Sequence, residues 1–250
     1  MKELIKELKS LSKLGVVGIK QSFEDEGALQ PDVLTMRRIT EQLGLGLSVK
    51  IGGCEAKTDI EFCQSIGVNK IVAPMVETPF ALTKFIESVI NVNDIEFYIN
   101  IESFTAAENI KKILDSPSSK LLSGVVIGRS DLAKSFGLSK DQVDGDLINN
   151  TATKALKSIS EYQLDTLMGG NLSPKSNKIV CDLYNKKLLK YIETRNVIIK
   201  LNDTNIKTIP NIIKSALLFE SNWLQYIAKS YINVGHSYIN RSEIIKDRIS

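Results

Sequence analysis

Apolar and polar positions alternate along this chain in two periods, one after the other. Short runs with a period of two, or with continuous apolar character, read as strands: "GVVGIKQSF", "LSVKIG", "KIVAPMV", "EFYINIE", "GVVIG", "LDTLMGG" and "NVIIKLN". Segments with helical spacing lie between them. In "TPFALTKFIESVI", Thr78 stands as a cap, Pro79 takes the first helical position, and Phe85, Ile86, Val89 and Ile90 share a face. "TAAENIKKIL" carries a capping-box spacing from Thr105 to Glu108. "PDVLTMRRITEQL" opens on Pro31 and is followed by Gly44. At the N-terminus Leu4, Leu8 and Leu11 lie on one helical face.

Seven strands separated by helices predict an α/β fold built on a parallel sheet, either a barrel or a doubly wound sheet. The polar residues favour a TIM-type (β/α) barrel. Lys20, Ser22 and Glu24, then Lys50, then Asn100 and Glu102, then Lys200 and Asn202 recur where strands give way to loops. A barrel gathers those ends at one mouth, whereas an open sheet spreads them along an edge. No G-x-G-x-x-G follows the first strand. The eighth strand is not evident, so an irregularity at one strand is expected: a short N-terminal piece, or none. The whole chain, 1–250, is expected to form one barrel domain, with an N-terminal helix over 1–13 and a C-terminal helical extension from about 211 to 250. That extension carries Phe219, Trp223, Tyr226, Tyr231 and Tyr238 at helical spacing. The aromatic face fits either packing on the barrel or a subunit interface, and a homo-oligomer, a trimer or a hexamer, is the expectation.

Composition narrows the function classes. Hydrophobic residues make up 43%, charged residues 24%, and the net charge is +3 with both signs interleaved. This is a soluble globular pattern with no Lys/Arg block for nucleic acid. No apolar run reaches the roughly 20 residues of a membrane span. The charged, periodic N-terminus does not resemble a signal peptide, so a cytoplasmic location is expected. Cys54, Cys63 and Cys181 form no C-x-x-C pair, and the one histidine is His236. A histidine-based mechanism or a His-rich metal site is therefore nearly excluded from the main body of the chain.

Carboxylates carry the candidate chemistry. "EFYINIE" ends with Asn100 and Glu102 on one side and Ile99 and Ile101 on the other. In "GVVIGRSDLAKSFG" a strand ends, Arg129 and Ser130 turn, and Asp131 opens a helix. Successive strands are neighbours in a barrel, so Glu102 and Asp131 should face one pocket. Two such carboxylates suit a hard divalent ion, Mg²⁺, Mn²⁺ or another, whose remaining positions are filled by water and substrate oxygens. The backbone N–H groups of Ser130 and Asp131 offer an anion site. A metal beside an anion site fits a 2-oxo acid, and Asn100 is placed to donate to a substrate oxygen. The structural alternative stays open: Asp131 as a helix cap, and Glu102 as the partner of a barrel lysine such as Lys50.

At this point the chain resembles the HpcH/HpaI aldolase and citrate lyase beta-subunit family, through "KIVAPMVETPFAL", "INIES" and "VVIGRSDLAKSFG", which stand in family order between about Gly18 and Gly137. "VKIGGCEAKTD" looks like a subgroup signature. The resemblance implies a TIM-like barrel, a divalent metal on Glu102 and Asp131, and carbon–carbon lyase chemistry on a 2-oxo acid or acyl substrate. It places the amides of Ser130 and Asp131 on a carboxylate, and Asn100 where some members have a substrate-binding glutamine. Two departures matter. Lys50 stands where many of these aldolases carry an arginine that contacts the keto oxygen. The histidine expected near "FEDEG" is absent, which leaves Glu24, Glu26 or a metal-bound water as base.

Two other readings remain. Lys20, Lys50 and Lys200 fall on predicted inward faces, and a lysine of lowered pKa would form a Schiff base; they would otherwise pair with Glu24, Glu55 or Glu102. A non-catalytic barrel that binds a small acid is the third reading. Cys54 and Glu77 suggest packing and a helix start more than chemistry, and Gly169, Gly170 and Asn171 a loop at the mouth. Arg195, placed before a strand, is expected at the opposite end.

Overall fold

In the computed structural model, which describes residues 1–24 and 26–249, eight strands close into a barrel in chain order. They are β1 (Val16–Ser22), β2 (Gly46–Lys50), β3 (Lys70–Ala73), β4 (Glu96–Ile101), β5 (Gly124–Gly128), β6 (Asp165–Gly169), β7 (Tyr191–Glu193) and β8 (Val197–Lys200). The helices are α1 (Lys2–Ser12), α2 (Gln30–Leu43), α3 (Lys57–Ser65), α4 (Pro79–Val89), α5 (Phe104–Leu114), α6 (Arg129–Ser135), α7 (Asp146–Ile159), α8 (Asn177–Asn185) and α9 (Ile209–Lys246). The expected α/β barrel is found, and so is its irregularity.

That irregularity lies at the end of the sheet. Pairings from β1 to β7 are parallel, but β8 runs antiparallel to both β7 and β1. Three residues, Thr194 to Asn196, separate β7 from β8. A parallel return needs a crossover of a dozen residues or more, so three residues permit only a hairpin. The strand missing from the sequence reading is β7, a three-residue element too short to show a period. Reversal of β8 moves its ends. Lys200 pairs with Tyr191 at the floor of the barrel and lines a cleft there with Asp165 and Lys190. Asn202 lies beyond it, in a floor cleft with Gly15. Arg195 lies at the mouth. The expected positions of Lys200, Asn202 and Arg195 are thus inverted.

Two hydrophobic layers hold the barrel. Ile99, Ile101, Val125 and Ile127 face the helices and join the large outer core. Val72, Tyr98, Val126, Leu167 and Ile198 form a separate cluster inside the barrel. Alternation along β4 therefore sends Tyr98 and Asn100 inward and Ile99 and Ile101 outward. Below this layer, Tyr98 Oη accepts from Lys70 Nζ at 2.9 Å and donates to Asp165 at 3.2 Å. This polar cluster lies between the apolar layer and the floor clefts.

The helices pack as their periodicity requires, except that Ile90, read with the α4 face, falls just past that helix and is exposed. Leu4, Leu8 and Leu11 of α1 are buried, as are Leu82, Phe85, Ile86 and Val89 of α4. Thr78 caps α4 by accepting from Ala81 N. Helix α5 starts earlier than the Thr105–Glu108 spacing suggests: Ser103 is its cap and accepts from Ala106 N at 3.1 Å. Ser103 follows the β4 end directly, so the helix begins as soon as a hydroxyl is available. Helix α9 divides the aromatic face. Phe219 and Trp223 are buried, whereas every described residue from Tyr231 onward is exposed, Tyr238 included. Among the described residues, no helix is long and apolar enough to cross a membrane.

Candidate active site

The C-terminal ends of β1, β2, β4 and β5 and the β7–β8 turn surround a cavity of about 250 Å³. Glu102 stands on its wall, one residue past β4. Its Oε2 accepts from Lys50 Nζ at 3.0 Å and from Asn100 Nδ2 at 2.8 Å; its Oε1 accepts from Met75 N at 3.0 Å. Met75 has φ 52°, a left-handed backbone unusual for methionine, and its amide nitrogen is the donor to this carboxylate. Gly128 makes room: a Cβ there would lie 2.8 Å from Glu102 Cβ and 3.0 Å from Oε2.

Lys50 is shared. Its Nζ lies 2.8 Å from Glu24 Oε2 as well as 3.0 Å from Glu102. Burial by itself lowers its pKa, but the two carboxylates outweigh burial and the net shift is upward. The lysine is an ammonium. Lys50, Asn100, Ser130 and Asp131 all line the cavity; Glu24 reaches it only through Lys50.

Asp131, in the first turn of α6, shares the cavity with Glu102. Its Oδ1 pairs with Lys134 at 2.6 Å, an i,i+3 contact with a half-exposed lysine. The donor set fits a hard divalent ion. Glu102 has about four lone-pair sites, and three accept protein donors. Lys134 is exposed enough to leave Asp131 at little cost. Among the described residues no cluster of three or more His, Cys, Asp or Glu side chains could hold a metal. Mg²⁺ does not need one, since it commonly takes one or two carboxylates and fills its shell with water and substrate oxygens.

The loop anchors were only partly visible beforehand. Arg129 is fully buried. It donates to Asp144 at 2.8 Å, to the carbonyls of Gly169, Val143 and Gly170, and to Ser176. This guanidinium ties the loop after α6 to the loop after β6. The polar segment "GLSKDQVDGDLINN" is thereby anchored, and it brings Lys140 to the cavity. Asn171 also lines the cavity and donates to the Lys140 carbonyl at 2.7 Å. Gly170, at φ 85°, packs so closely on α6 that a Cβ would lie 2.3 Å from Ser130 N.

The opposite wall was largely missed. Glu193, the last residue of β7, pairs with Lys20 at 2.5 Å. Glu26 lines the cavity, and its Oε2 accepts from Asn196 Nδ2 at 3.0 Å. Glu220 reaches in from α9 and accepts from Thr194 Oγ1 and the amides of Asn196 and Val197. The three-residue gap between Tyr191–Glu193 and the apolar run that opens at Val197 was the available signal for this hairpin; nothing in the sequence places Glu220. Two weaker candidates take structural roles. Glu77 accepts from Ser103 Oγ. Cys54 Sγ contacts the Pro74 carbonyl, and burial pushes its thiol pKa up, away from a nucleophilic thiolate.

Residues 49–168 match the sequence model of the HpcH/HpaI aldolase/citrate lyase family. No curated protein sequence matches the chain. Among solved structures, an HpcH/HpaI aldolase/citrate lyase family protein from Burkholderia cenocepacia J2315 is 13% identical, with TM-score 0.61 over 76% of this chain and 82% of that one. The citrate synthase SbnG is 13% identical, with TM-score 0.60 over 87% and 89%. A citrate lyase beta subunit from M. tuberculosis, in complex with oxaloacetate and magnesium, is 14% identical, with TM-score 0.52 over 78% and 85%. At these identities the solved structures speak for the fold. The family model, which spans the β2 end, "INIES" and "GRSDLA", speaks for the kinship read from the motifs.

Proposed function

We propose that this chain, a member of the HpcH/HpaI aldolase/citrate lyase family through residues 49–168, is a divalent-metal-dependent carbon–carbon lyase acting on a 2-oxo acid. The observation that carries this is the convergence of Glu102, Asp131 and the Lys50 ammonium on one cavity at the barrel mouth. Glu102 and Asp131 would hold the ion, Mg²⁺ or a similar cation. When bound, it would neutralise negative charge that develops on the keto oxygen as the carbon–carbon bond breaks.

The protein's own groups do the rest. Asn100 and Met75 N fix the Glu102 carboxylate in one orientation. Lys50, clamped by Glu24 and Glu102, holds a positive charge at the cavity wall, where an arginine stands in many relatives. Its ammonium adds attraction for an anionic substrate but lacks a planar fork, so it orients the substrate less tightly than an arginine would. Ser130 and Asp131 line the same cavity, and their amides would serve a substrate carboxylate.

The Schiff-base reading is less well supported. It needs a free amine, and both carboxylate partners hold the Lys50 amine protonated. The test is calorimetric titration of Mg²⁺ into the wild type and into Glu102→Gln and Asp131→Asn, followed by pyruvate. Each variant is expected to keep its circular dichroism and lose Mg²⁺ affinity by more than ~10-fold, in line with the loss of one of two anionic ligands. Unchanged affinity in both variants would sink the metal assignment.

A further inference from the structure

We infer that Glu26 is the proton-transfer group of this site, a carboxyl that takes a proton from the substrate hydroxyl and returns it to carbon. This rests on the lyase reading above and adds the residue that the absent histidine leaves unassigned.

The case starts from what the other carboxylates are doing. Among the described residues five line the cavity: Glu26, Glu102, Asp131, Glu193 and Glu220. Glu102 accepts three donors, and Asp131 is paired with Lys134 at 2.6 Å. Glu193 is paired with Lys20 at 2.5 Å, and Glu220 is committed to the backbone of the β7–β8 turn. Glu26 differs. Its hydrogen bond comes from a neutral amide, Asn196 Nδ2 at 3.0 Å, and Arg195 Nε stands off at 3.8 Å. Among the described residues its ion pair with Arg195 is longer than the pairs at Glu102, Asp131 and Glu193, and its side chain is 14% exposed, open to the cavity but largely out of bulk water.

Its surroundings balance. Lys20 from β1 and Arg195 from the turn favour the carboxylate, as does the Asn196 bond; burial and Glu220 from α9 oppose it. Burial is the largest influence and pushes the pKa up to about 7. A group that is half protonated near neutrality can both accept and return a proton. The one histidine, His236, lies on the exposed half of α9 and cannot compete for this role.

The step balances without a redox partner. For a 4-hydroxy-2-oxo acid, the Glu26 carboxylate takes the hydroxyl proton and the O–H pair becomes the carbonyl π bond of the aldehyde. The C3–C4 bond breaks, and its pair forms the enolate double bond, leaving charge on the keto oxygen. The Glu26 acid then gives its proton to C3, which completes pyruvate and restores the carboxylate.

The experiment uses the full chain with Mg²⁺ and pyruvate in D₂O and follows loss of the methyl proton signal by NMR, with pyruvate affinity measured separately. The wild type is expected to exchange, with a rate that rises through pH about 7. Glu26→Gln is expected to lose at least ~100-fold in exchange, the usual contribution of a general base, with pyruvate affinity unchanged and the pH dependence gone. Glu26→Asp, which keeps the carboxyl, should retain measurable exchange and guards against a merely misfolded amide variant. Exchange in Glu26→Gln at the wild-type rate would overturn the assignment and leave the lyase reading standing. A parallel loss of pyruvate affinity would also overturn it, by making Glu26 a binding group. A wild type that neither binds pyruvate nor exchanges its protons would remove the lyase reading, and Glu26 with it.

Discussion

Glu220 Oε1, on α9, accepts from the backbone nitrogen of Asn196 at 2.6 Å, in the turn between β7 and β8. The same oxygen accepts from Thr194 Oγ1 and Val197 N. One buried carboxylate from the last helix therefore closes the hairpin that carries Arg195 and Asn196 to the mouth. Burial pushes the Glu220 pKa up against the pull of these donors. Glu220→Ala leaves the buried Asn196 amide without its acceptor, while Val197 N keeps Thr194 Oγ1 at 3.2 Å, and about 2 kcal/mol of stability should be lost. Hydrogen exchange at Asn196 and Val197 should accelerate well before exchange in β4 and β5. Uniform acceleration across the barrel would show that the hairpin is held by other contacts.

Lys50→Met tests the shared ammonium. Glu102 would stay buried without its cation, and breaking a buried pair typically costs 3–5 kcal/mol. Glu24 is one-third exposed, so its side of the contact adds little. A loss of about 3 kcal/mol in urea denaturation at pH 7 is expected, with Lys50→Arg recovering most of it. An unchanged midpoint for Lys50→Met would mean that Glu102 is held by Asn100 and Met75 alone.

Glu26 makes stability depend on pH with a defined sign. Its folded pKa of about 7 lies above the ordinary carboxylate value of 4.5. Between those values the native state binds a proton that the unfolded chain has released. Stability from this group is thus full below pH 4.5 and declines as pH rises through 7, by about 3 kcal/mol in all. Glu26→Gln removes the decline. The variant should match the wild type near pH 4.5 and exceed it by up to about 3 kcal/mol at pH 8. Denaturation at both pH values checks this, and a variant less stable at pH 8 would contradict it.

Arg129→Lys probes the tie between the loops after α6 and β6. A lysine has no planar fork and cannot serve Asp144, Ser176 and three carbonyls together. A loss of about 3 kcal/mol is expected from leaving these buried acceptors and Asp144 incompletely satisfied. Proteolysis should then cut between Gly137 and Asp146 sooner than in the wild type. Resistance equal to the wild type would show that the loop does not depend on this arginine.

Local period along the chain settles those parts of the protein that depend on neighbouring residues. Alternation in "EFYINIE" assigns Asn100 and Glu102 to one face and Ile99 and Ile101 to the other. Helical spacing assigns the buried faces of α1 and α4, and the strand–turn–helix order of "GVVIGRSD" brings Asp131 to the same end as Glu102. These outcomes need only the geometry of neighbouring residues. Chain reversal and distant contact are legible in the folded barrel and not in the residue order. Three residues of turn reverse β8, which sends Lys200 to the floor and Arg195 to the mouth. Glu220 reaches that turn from 24 residues away, and Lys20 meets Glu193 across 173. No periodicity encodes such partners, because they meet only when the barrel closes and its last strand packs against its first.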